Sequence, residues 1–310
     1  MGTQVTSDAA QSRPAPSLRS DRVPLGIAFM MGATLLFAIS QALSKLEVAN
    51  YSFAEVLFFR AFGSLLICAL LILPRGGLAV FRTQRFGAHA ARNALQTGSQ
   101  SLMLIALSMM PLAGVVAINF SAPLFAAVLA AIWLREKIGT ARAVALVVGF
   151  FGVLLVASPG ASSFSVGAIF AIANAVTYGS VMTVVRGMSA TESVETLTMH
   201  QMVFLTVFFA LALPIFGFAW PANSTDWLIL LGNGVLNGIG QYWWTRALSL
   251  APPAALGPYY YFLLVWAMIL GFLMWGDIPT LTLIAGSAIV VGSGLFLLWH
   301  ESGKKPLPAD

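Results

Sequence analysis

Long apolar runs recur along almost the entire chain, and they restrict its fold more than any other feature. Each run is about as long as the roughly 20 residues that an α-helix needs to cross the hydrocarbon core of a membrane. Only 9% of the residues are charged, whereas a typical soluble domain carries about 25%, so a soluble fold is excluded. We therefore predict an all-α membrane protein with ten transmembrane helices at 24–45, 53–73, 89–110, 112–134, 141–158, 165–187, 196–218, 226–250, 253–275 and 278–299.

The two ends of the chain are polar. We expect residues 1–23, which are rich in Ser, Pro and Ala, to form a disordered cytoplasmic tail, and residues 300–310 to form a second one. A cleaved signal peptide is not expected, because the next apolar run is longer than the apolar region of such peptides. Cys68 is the single cysteine and the three histidines are far apart in the sequence, so we predict neither an internal disulfide nor a metal site.

The positive charges are distributed unevenly across the predicted membrane. Of the 16 Lys and Arg residues, 14 fall on the side of the N-terminus, Lys45 falls on the other side, and Arg60 lies inside the second helix. Cytoplasmic loops of membrane proteins carry an excess of Lys and Arg. We therefore predict that both termini are cytoplasmic, and we interpret the net charge of +5 as an orientation signal rather than as evidence for nucleic-acid binding.

The chain matches itself at a shift of 141 residues. The best match pairs residues 100–108 with residues 241–249, and it begins with a glutamine in both copies. This predicts two five-helix repeats, 24–158 and 165–299, unless the match is a chance similarity between Leu- and Ala-rich helices. Because five is odd, the second repeat enters the membrane from the opposite side, and such inverted repeats place a binding site near the midplane.

A stripe of amide side chains occurs once in each repeat. Gln96 and Gln100 share one face of the third helix with Asn93, and their partners at the 141-residue shift, Asn237 and Gln241, share one face of the eighth. Polar groups inside a membrane usually face a cavity or the interior of the helix bundle. The alternative is that these amides bond neighbouring helices to each other.

Aromatic side chains accompany the amides. Phe37 and Gln41 are one turn apart in the first helix, as are Asn174 and Tyr178 in the sixth, and Tyr260 is the best placed of three consecutive tyrosines in the ninth. Such a mixture suits a small molecule with an apolar body and a polar end, although Tyr178 can equally be a packed core residue. The predicted substrate-binding residues are Phe37, Gln41, Gln96, Gln100, Asn174, Tyr178, Asn237, Gln241, Trp244 and Tyr260.

Prolines interrupt the fourth and ninth helices. Proline frees backbone carbonyl groups, which is tolerated only where the backbone is buried in protein or lines a cavity. Helices that bend there can gate a pathway, and the predicted gating residues are Pro111, Pro123, Pro253 and Pro258. The glycine-rich run at 232–240 is not followed by Lys-Ser or Lys-Thr, so we interpret it as a close helix contact and not as a nucleotide loop.

Acidic side chains are expected to stay near the helix ends, where Glu55, Glu136, Asp226 and Asp277 fall. This favours neutral, zwitterionic or mildly anionic substrates and leaves no obvious proton carrier. Arg60 can pair with Glu55 or Glu47 or meet a substrate carboxylate. His200, at the corresponding place in the second repeat, is either a core histidine or a proton relay.

The sequence resembles the EamA-type branch of the drug/metabolite transporter superfamily over residues 24–299. The resemblance depends on the two five-helix repeats, on the pattern Asn119-Phe-Ser-Ala-Pro123 running to Trp133-Leu-Arg-Glu-Lys137, and on Gly149 and Gly152. The tyrosine-rich ninth helix is most similar to bacterial aromatic amino-acid exporters of the YddG type. The resemblance implies export or exchange of small metabolites by alternating access, in the inner membrane.

Together these features predict a secondary transporter that exports amino acids with aromatic or bulky apolar side chains. Its partners would be that small-molecule substrate and membrane lipid, without nucleic acid or a cofactor, and it would be a monomer or a homodimer. The alternatives are a transporter of another neutral metabolite, such as a nucleoside or a vitamin, and a lipid scramblase or channel. We expect no enzyme activity and no catalytic residues, because no nucleophile has an evident base partner.

Overall fold

The structure is a computed structural model that describes residues 22–133, 139–157, 166–188, 191–251 and 253–302. The described residues form helices joined by short connections and contain no β-strand, which confirms the all-α class. The helices are α1 (Val23–Glu47), α2 (Phe53–Gly76), α3 (Phe86–Met109), α4 (Leu112–Asn119), α5 (Ala122–Trp133), α6 (Thr140–Ala157), α7 (Val166–Met188), α8 (Val194–Phe216), α9 (Ser224–Leu250), α10 (Pro253–Tyr260), α11 (Phe262–Trp275) and α12 (Leu281–Ser302).

Within the described part of the chain, six helical segments are long and apolar enough to cross a membrane. They are Val23–Glu47, Phe53–Phe81, Leu112–Ile132, Val166–Met188, Val194–Phe216 and Ala255–Trp275, and two shorter apolar helices lie at Ala143–Ala157 and Leu281–Leu297. The protein is therefore a multi-pass membrane protein. The α3 and α9 helices are not among these segments, and they are the two helices that carry the amide stripes.

The fourth and ninth predicted helices are each divided in two. The first break lies at Phe120 and Ser121, between α4 and α5, and the second lies at Tyr261, between α10 and α11. The predicted spans at 112–134 and 253–275 are therefore interrupted, as the prolines in them indicated, and the two parts of each still form one apolar segment of membrane-spanning length. Pro123 explains the first break, because its ring nitrogen cannot donate a hydrogen bond to the carbonyl group one turn earlier.

The two breaks occupy equivalent places in the two repeats. The α4 and α10 helices each have eight residues, and a shift of 141 residues superposes their bounds. Leu264 stands where the first repeat has Pro123. The second break therefore forms without a proline at that position, although Pro258 lies within α10.

Close contacts between glycines join helices from the two halves of the chain. A Cβ atom added to Gly234 on α9 would lie 2.6 Å from the Phe59 carbonyl oxygen and 2.8 Å from the Gly63 Cα atom on α2. A Cβ atom on Gly152 of α6 would likewise lie 2.9 Å from the Gly286 carbonyl oxygen on α12. Such small residues let helix backbones approach closely in membranes, and the interpretation of the glycine-rich run as a helix contact is confirmed.

Polar side chains lie inside the bundle and many apolar side chains lie on its surface. Asn93, Asn174 and Asn233 are buried, whereas Leu211 and Leu273 are about 70% exposed. Water would penalise this arrangement, but lipid favours it because only an interior can supply partners for amide groups. The centre of the bundle is therefore the part of the molecule where polar recognition can occur.

Candidate functional site

Five aromatic side chains from three helices, α1, α9 and α10, and from the two helix breaks meet inside the bundle. We call them the aromatic cluster: Phe37, Phe120, Trp244, Tyr260 and Tyr261. The ring centroids are 6.2 Å apart for Phe37 and Trp244, 5.1 Å for Trp244 and Tyr260, and 5.2 Å for Tyr260 and Phe120. Tyr261 lies 4.8 Å from Phe120. The structure thus brings together three of the predicted site residues, Phe37, Trp244 and Tyr260.

Two polar atoms on the helices that pack around this cluster have no hydrogen-bond partner among the described residues. They are Oε1 of Gln41, one turn along α1 from Phe37, and Nε1 of Trp266 on α11. Phe37 and Trp266 both pack against the main hydrophobic core. A buried acceptor or donor without a partner costs about 1–3 kcal/mol. A ligand that supplies one donor and one acceptor would remove that cost.

Gln100 is already engaged by a charged side chain. Its Oε1 atom accepts a hydrogen bond of 2.5 Å from Nη2 of Arg60, and Nη1 of Arg60 donates to the Ser44 hydroxyl oxygen at 3.3 Å. Gln96 is buried one turn along the same face of α3. The amide stripe of the third helix therefore faces α1 and α2 at its Gln100 end.

The amide stripe of α9 joins that helix to α1 and α2. Asn233 accepts a hydrogen bond of 2.5 Å from Ser40, and it donates to Ser44 at 3.0 Å and to Oε2 of Glu47 at 2.8 Å. Asn237 donates to the Ser64 hydroxyl oxygen at 2.8 Å. These contacts favour the helix-bonding alternative for Asn233 and Asn237, while the side chain of Gln241 is partly buried one turn before Trp244.

Asn174 is also engaged within the protein. It accepts a hydrogen bond from Ser99 at 2.8 Å and donates to Oδ1 of Asn119, at the end of α4, at 3.0 Å. Tyr178, one turn further along α7, lies near enough to both Tyr260 and Arg92 for electrostatic interaction. Asn174 thus ties α7 to α3 and to the first helix break, and Tyr178 borders the aromatic cluster.

The carboxylates of Glu47 and Glu55 lie at helix ends, as expected, because Glu47 is the last residue of α1 and Glu55 lies in the first turn of α2, but both are buried within the protein. Glu47 is 3% exposed and Glu55 is fully buried. Glu47 interacts electrostatically with Arg60, whereas Glu55 accepts a hydrogen bond of 3.3 Å from the backbone N–H of Ala219. The sequence indicated Glu47 as a possible partner of Arg60 but did not indicate its burial, because Glu47 is the last residue of α1.

Arg92 is a further buried charge that the sequence analysis missed. It donates to the Leu197 carbonyl oxygen at 2.8 Å and to Oε1 of Gln201 at 2.7 Å, both on α8. Asn93 donates to the His200 carbonyl oxygen at 3.3 Å. The repeat could have indicated that Arg92 faces the interior. Arg92 matches Asn233 at the 141-residue shift and lies one turn before Gln96 on the same face of α3.

The predicted gating prolines lie next to helix ends. Pro111 precedes α4, Pro253 begins α10, and Pro123 and Pro258 lie within three residues of the two breaks. Pro252 and residues 134–138, which include most of the motif from Trp133 to Lys137, lie outside the described residues, as does the side chain of Trp133.

An open apolar groove of about 500 Å³ lies away from the aromatic cluster, between α2, α8 and α9. Its lining residues are Phe58, Phe59, Ala210, Leu213, Pro214, Phe218, Trp220 and Trp227. None of the predicted site residues is among them. An apolar groove at the surface of a membrane protein suits lipid chains better than a polar solute.

Comparison with known proteins identifies the relatives of this chain. The model of the EamA-like transporter family matches two segments of the chain, residues 24–158 and 165–299. The resemblance to EamA-type transporters is therefore confirmed. Because the two matches together cover most of the chain, they apply to the protein as a whole.

Several curated relatives are named as transporters. A riboflavin transporter of Vibrio cholerae is 30% identical over 90% of this chain and 94% of its own. A pseudopaline exporter of Pseudomonas aeruginosa is 29% identical over 91% and 99%, respectively. An S-adenosylmethionine uptake transporter of Rickettsia conorii is 24% identical over 89% and 93%.

A protein of known crystal structure shares the fold. It superposes with a TM-score of 0.63 over 90% of this chain and 97% of its own, at 18% identity. At that identity the likeness concerns the fold alone.

Proposed function

Because the chain belongs to the EamA-like transporter family, whose relatives transport small metabolites, we propose that it is a secondary transporter of a neutral, planar aromatic metabolite. The aromatic cluster carries this proposal. Aromatic side chains pack favourably against flat rings in offset-stacked or edge-to-face arrangements. The cluster lies between helices of both repeats, where alternating access needs its binding site.

The unpaired atoms on α1 and α11 support a substrate with hydrogen-bonding groups on its edge. Gln41 offers an acceptor and Trp266 offers a donor. The charged side chains nearby, Arg60 and Arg92, already bond to protein atoms. A flavin ring system has such an edge, with an N–H group between two carbonyl groups, and the riboflavin transporter of Vibrio cholerae is a full-length relative. A vitamin of the flavin class is therefore our first candidate.

An aromatic amino acid is the second candidate. The aromatic cluster suits its side chain as well as it suits a flavin. Its ammonium and carboxylate groups would need opposite charges, and Glu47 and Arg60 supply one of each close together. Those two residues would have to exchange protein partners for substrate, which makes this candidate more costly in free energy than a neutral ring.

We further propose that ten helices cross the inner membrane as two inverted repeats, 24–158 and 165–299, with both termini cytoplasmic. The equivalent breaks at Phe120–Ser121 and at Tyr261 support a common ancestry of the two halves. The charge asymmetry supports the orientation. Both halves contribute to the aromatic cluster, as expected for a site between repeats.

Two hydrogen-bonded contacts between helices of the two halves, which we call the closures, support alternating access. On the predicted outer side, Asn233 of α9 is bonded to Ser44 and Glu47 of α1. On the predicted inner side, Arg92 of α3 is bonded to α8. Opening either closure while the other holds would expose the aromatic cluster to one side at a time, and the helix breaks beside the predicted gating prolines are where the chain can bend.

Counterflow in proteoliposomes tests the substrate class. We expect vesicles preloaded with riboflavin to accumulate labelled riboflavin, with little accumulation of labelled phenylalanine, tryptophan or uridine. Accumulation of an amino acid without riboflavin would overturn the first candidate and support the second. Accumulation of none of the panel would contradict both.

Trp266→Phe tests the binding site. The substitution keeps an aromatic ring and removes the Nε1–H donor, so the KM for the transported substrate should rise about 2- to 10-fold, the worth of one hydrogen bond. Trp220→Phe is the matched control, because Trp220 is 74% exposed in the apolar groove. An equal KM in the two variants would remove Trp266 from the site.

A further inference from the structure

Two histidines and a glutamate lie together where α3 meets α8 at the predicted inner side. The ring centroids of His89 and His200 are 4.2 Å apart, and Nε2 of His89 is 3.7 Å from Oε2 of Glu192. The other oxygen of Glu192 accepts a hydrogen bond of 2.6 Å from the Thr83 hydroxyl group. Nδ1 of His200 lies 2.9 Å from the Thr196 carbonyl oxygen. The cluster therefore joins segments of both repeats beside the Arg92 closure.

The imidazole of His89 has no hydrogen-bond partner in this arrangement. It is 1% exposed, and neither of its nitrogen atoms is bonded to any described residue. Burying an imidazolium without hydrogen bonds would cost far more than burying the neutral ring. The closed contact between α3 and α8 therefore favours the neutral ring.

The charges around His89 act in both directions. Arg92 and His200 oppose a positive charge on His89, and Glu192 favours one from beyond hydrogen-bond distance. The titratable or charged side chains on the segments around it are Arg82, Arg85, Arg92, Arg186, Glu192, Glu195 and His200. Burial of the ring is the largest of these effects, and the carboxylate of Glu192 stays 3.7 Å from Nε2 of His89.

We propose that His89 is a proton-binding site that is neutral while α3 and α8 are in contact and takes up one proton when they separate. This rests on the proposed function, because alternating access requires that separation. Once water reaches the ring, the imidazole titrates near its ordinary value of about pH 6.5. The proton binds the open arrangement better than the closed one, so acid on this side of the membrane shifts the population towards the open arrangement.

Linkage between proton binding and opening sets the direction of the pH effect and its largest size. Below about pH 6.5 the open arrangement is stabilised, and above that value the stabilisation is lost because the ring is neutral in both arrangements. A single proton changes the opening equilibrium by at most about 10-fold per pH unit.

Hydrogen–deuterium exchange in nanodiscs tests the site without any substrate. After correction for intrinsic exchange, residues 86–93 and 194–201 should exchange faster at pH 5.5 than at pH 8. His89→Asn should remove that difference, since asparagine does not titrate. His300→Asn, at the end of α12, should keep it. An unchanged pH response in folded His89→Asn would overturn the proposal.

Glu192→Gln is a second variant that leaves His89 in place. Glu192 is the carboxylate that favours the charged ring in the closed arrangement, so its removal should increase the ratio of exchange rates between pH 5.5 and pH 8. A smaller or unchanged ratio would contradict the assignment even if His89→Asn does not fold.

The two proposals can fail separately. A chain that transports no flavin but shows the His89-dependent exchange keeps the proton site and loses the proposed substrate. A chain that accumulates riboflavin but has no pH-dependent exchange keeps the substrate and loses the proton site.

Discussion

At the scale of single residues, the interior is organised by polar side chains that satisfy one another. Arg60 bonds to Gln100 and Ser44, and Arg92 bonds to Gln201 and the Leu197 carbonyl oxygen. An unpaired arginine in a membrane is costly, whereas one that is bonded to amides and carbonyls is tolerated. The residues that remain unpaired, such as Gln41 and Trp266, are therefore the ones with capacity for a ligand.

Asn174→Ala is expected to destabilise the protein. The side chain joins Ser99 to Asn119. Its removal leaves the buried Ser99 hydroxyl group and the partly buried Asn119 amide without this partner, which costs about 1–3 kcal/mol in the free energy of unfolding. Thermal unfolding in detergent measures the effect. Asn50→Ala is the matched control, because Asn50 is exposed in a connection. Equal midpoints for the two variants would contradict the hydrogen bonds described for Asn174.

At the scale of helices, contacts and breaks decide which parts of the molecule can move. The α2 and α9 helices touch backbone to backbone through Gly63 and Gly234, whereas α3 and α8 are joined by the long side chain of Arg92. A contact between glycines leaves little room for rearrangement, but a bridge of hydrogen bonds can exchange partners with water. The α3–α8 contact is therefore the better candidate for opening.

Gly234→Ala should separate α2 from α9. The added methyl group would lie within 3 Å of the α2 backbone, and overpacking of this kind costs about 1–3 kcal/mol. We expect a lower midpoint of thermal unfolding and weaker transport. Gly232→Ala on the same helix is the matched control, because a Cβ atom there meets nothing within 4 Å. Alanine favours the helix more than glycine at either position, so an equal loss of stability in both variants would exclude the contact with α2 as its cause.

Pro123→Ala tests the first helix break as a hinge. Alanine restores the missing N–H donor and favours a continuous helix from α4 into α5. We expect transport to slow while thermal stability is kept or raised. The control is Pro214→Ala, at an exposed position inside α8 and away from both breaks. Unchanged transport in Pro123→Ala would show that bending at this break is not required.

At the scale of the whole molecule, the two halves are interlocked and not merely adjacent. Both contribute rings to the aromatic cluster, and both closures join one half to the other. With the inverted orientation that we propose, the two halves would present similar polar surfaces to the two sides of the membrane in turn.

Labelling of cysteines tests the inverted orientation. Asn50 and Thr191 lie in equivalent connections of the two repeats, 141 residues apart. In a Cys68→Ser background, a membrane-impermeant thiol reagent should label Asn50→Cys from outside the cell and should label Thr191→Cys only after the membrane is opened. Labelling of both positions from the same side would exclude inverted repeats.

The local properties of the chain were readable from the sequence. Apolar length located the helices to within a few residues, and the 141-residue shift indicated equivalent amide stripes in α3 and α9. These predictions hold because each depends on composition along one helix, where the lipid environment imposes a uniform requirement. The same reasoning placed Phe37, Trp244 and Tyr260 on interior faces.

Partners across helices were decided only by the tertiary structure. The sequence could not show that Asn233 and Asn237 would be occupied by α1 and α2, that Glu47 would be buried, or that Arg92 would reach α8. Hydrogen-bond partners depend on distances of a few ångströms between helices far apart in the chain, and hydropathy does not encode those distances. The sequence by itself determined a membrane protein built from a repeated unit. The tertiary structure decided which of its polar groups hold the halves together and which stay available.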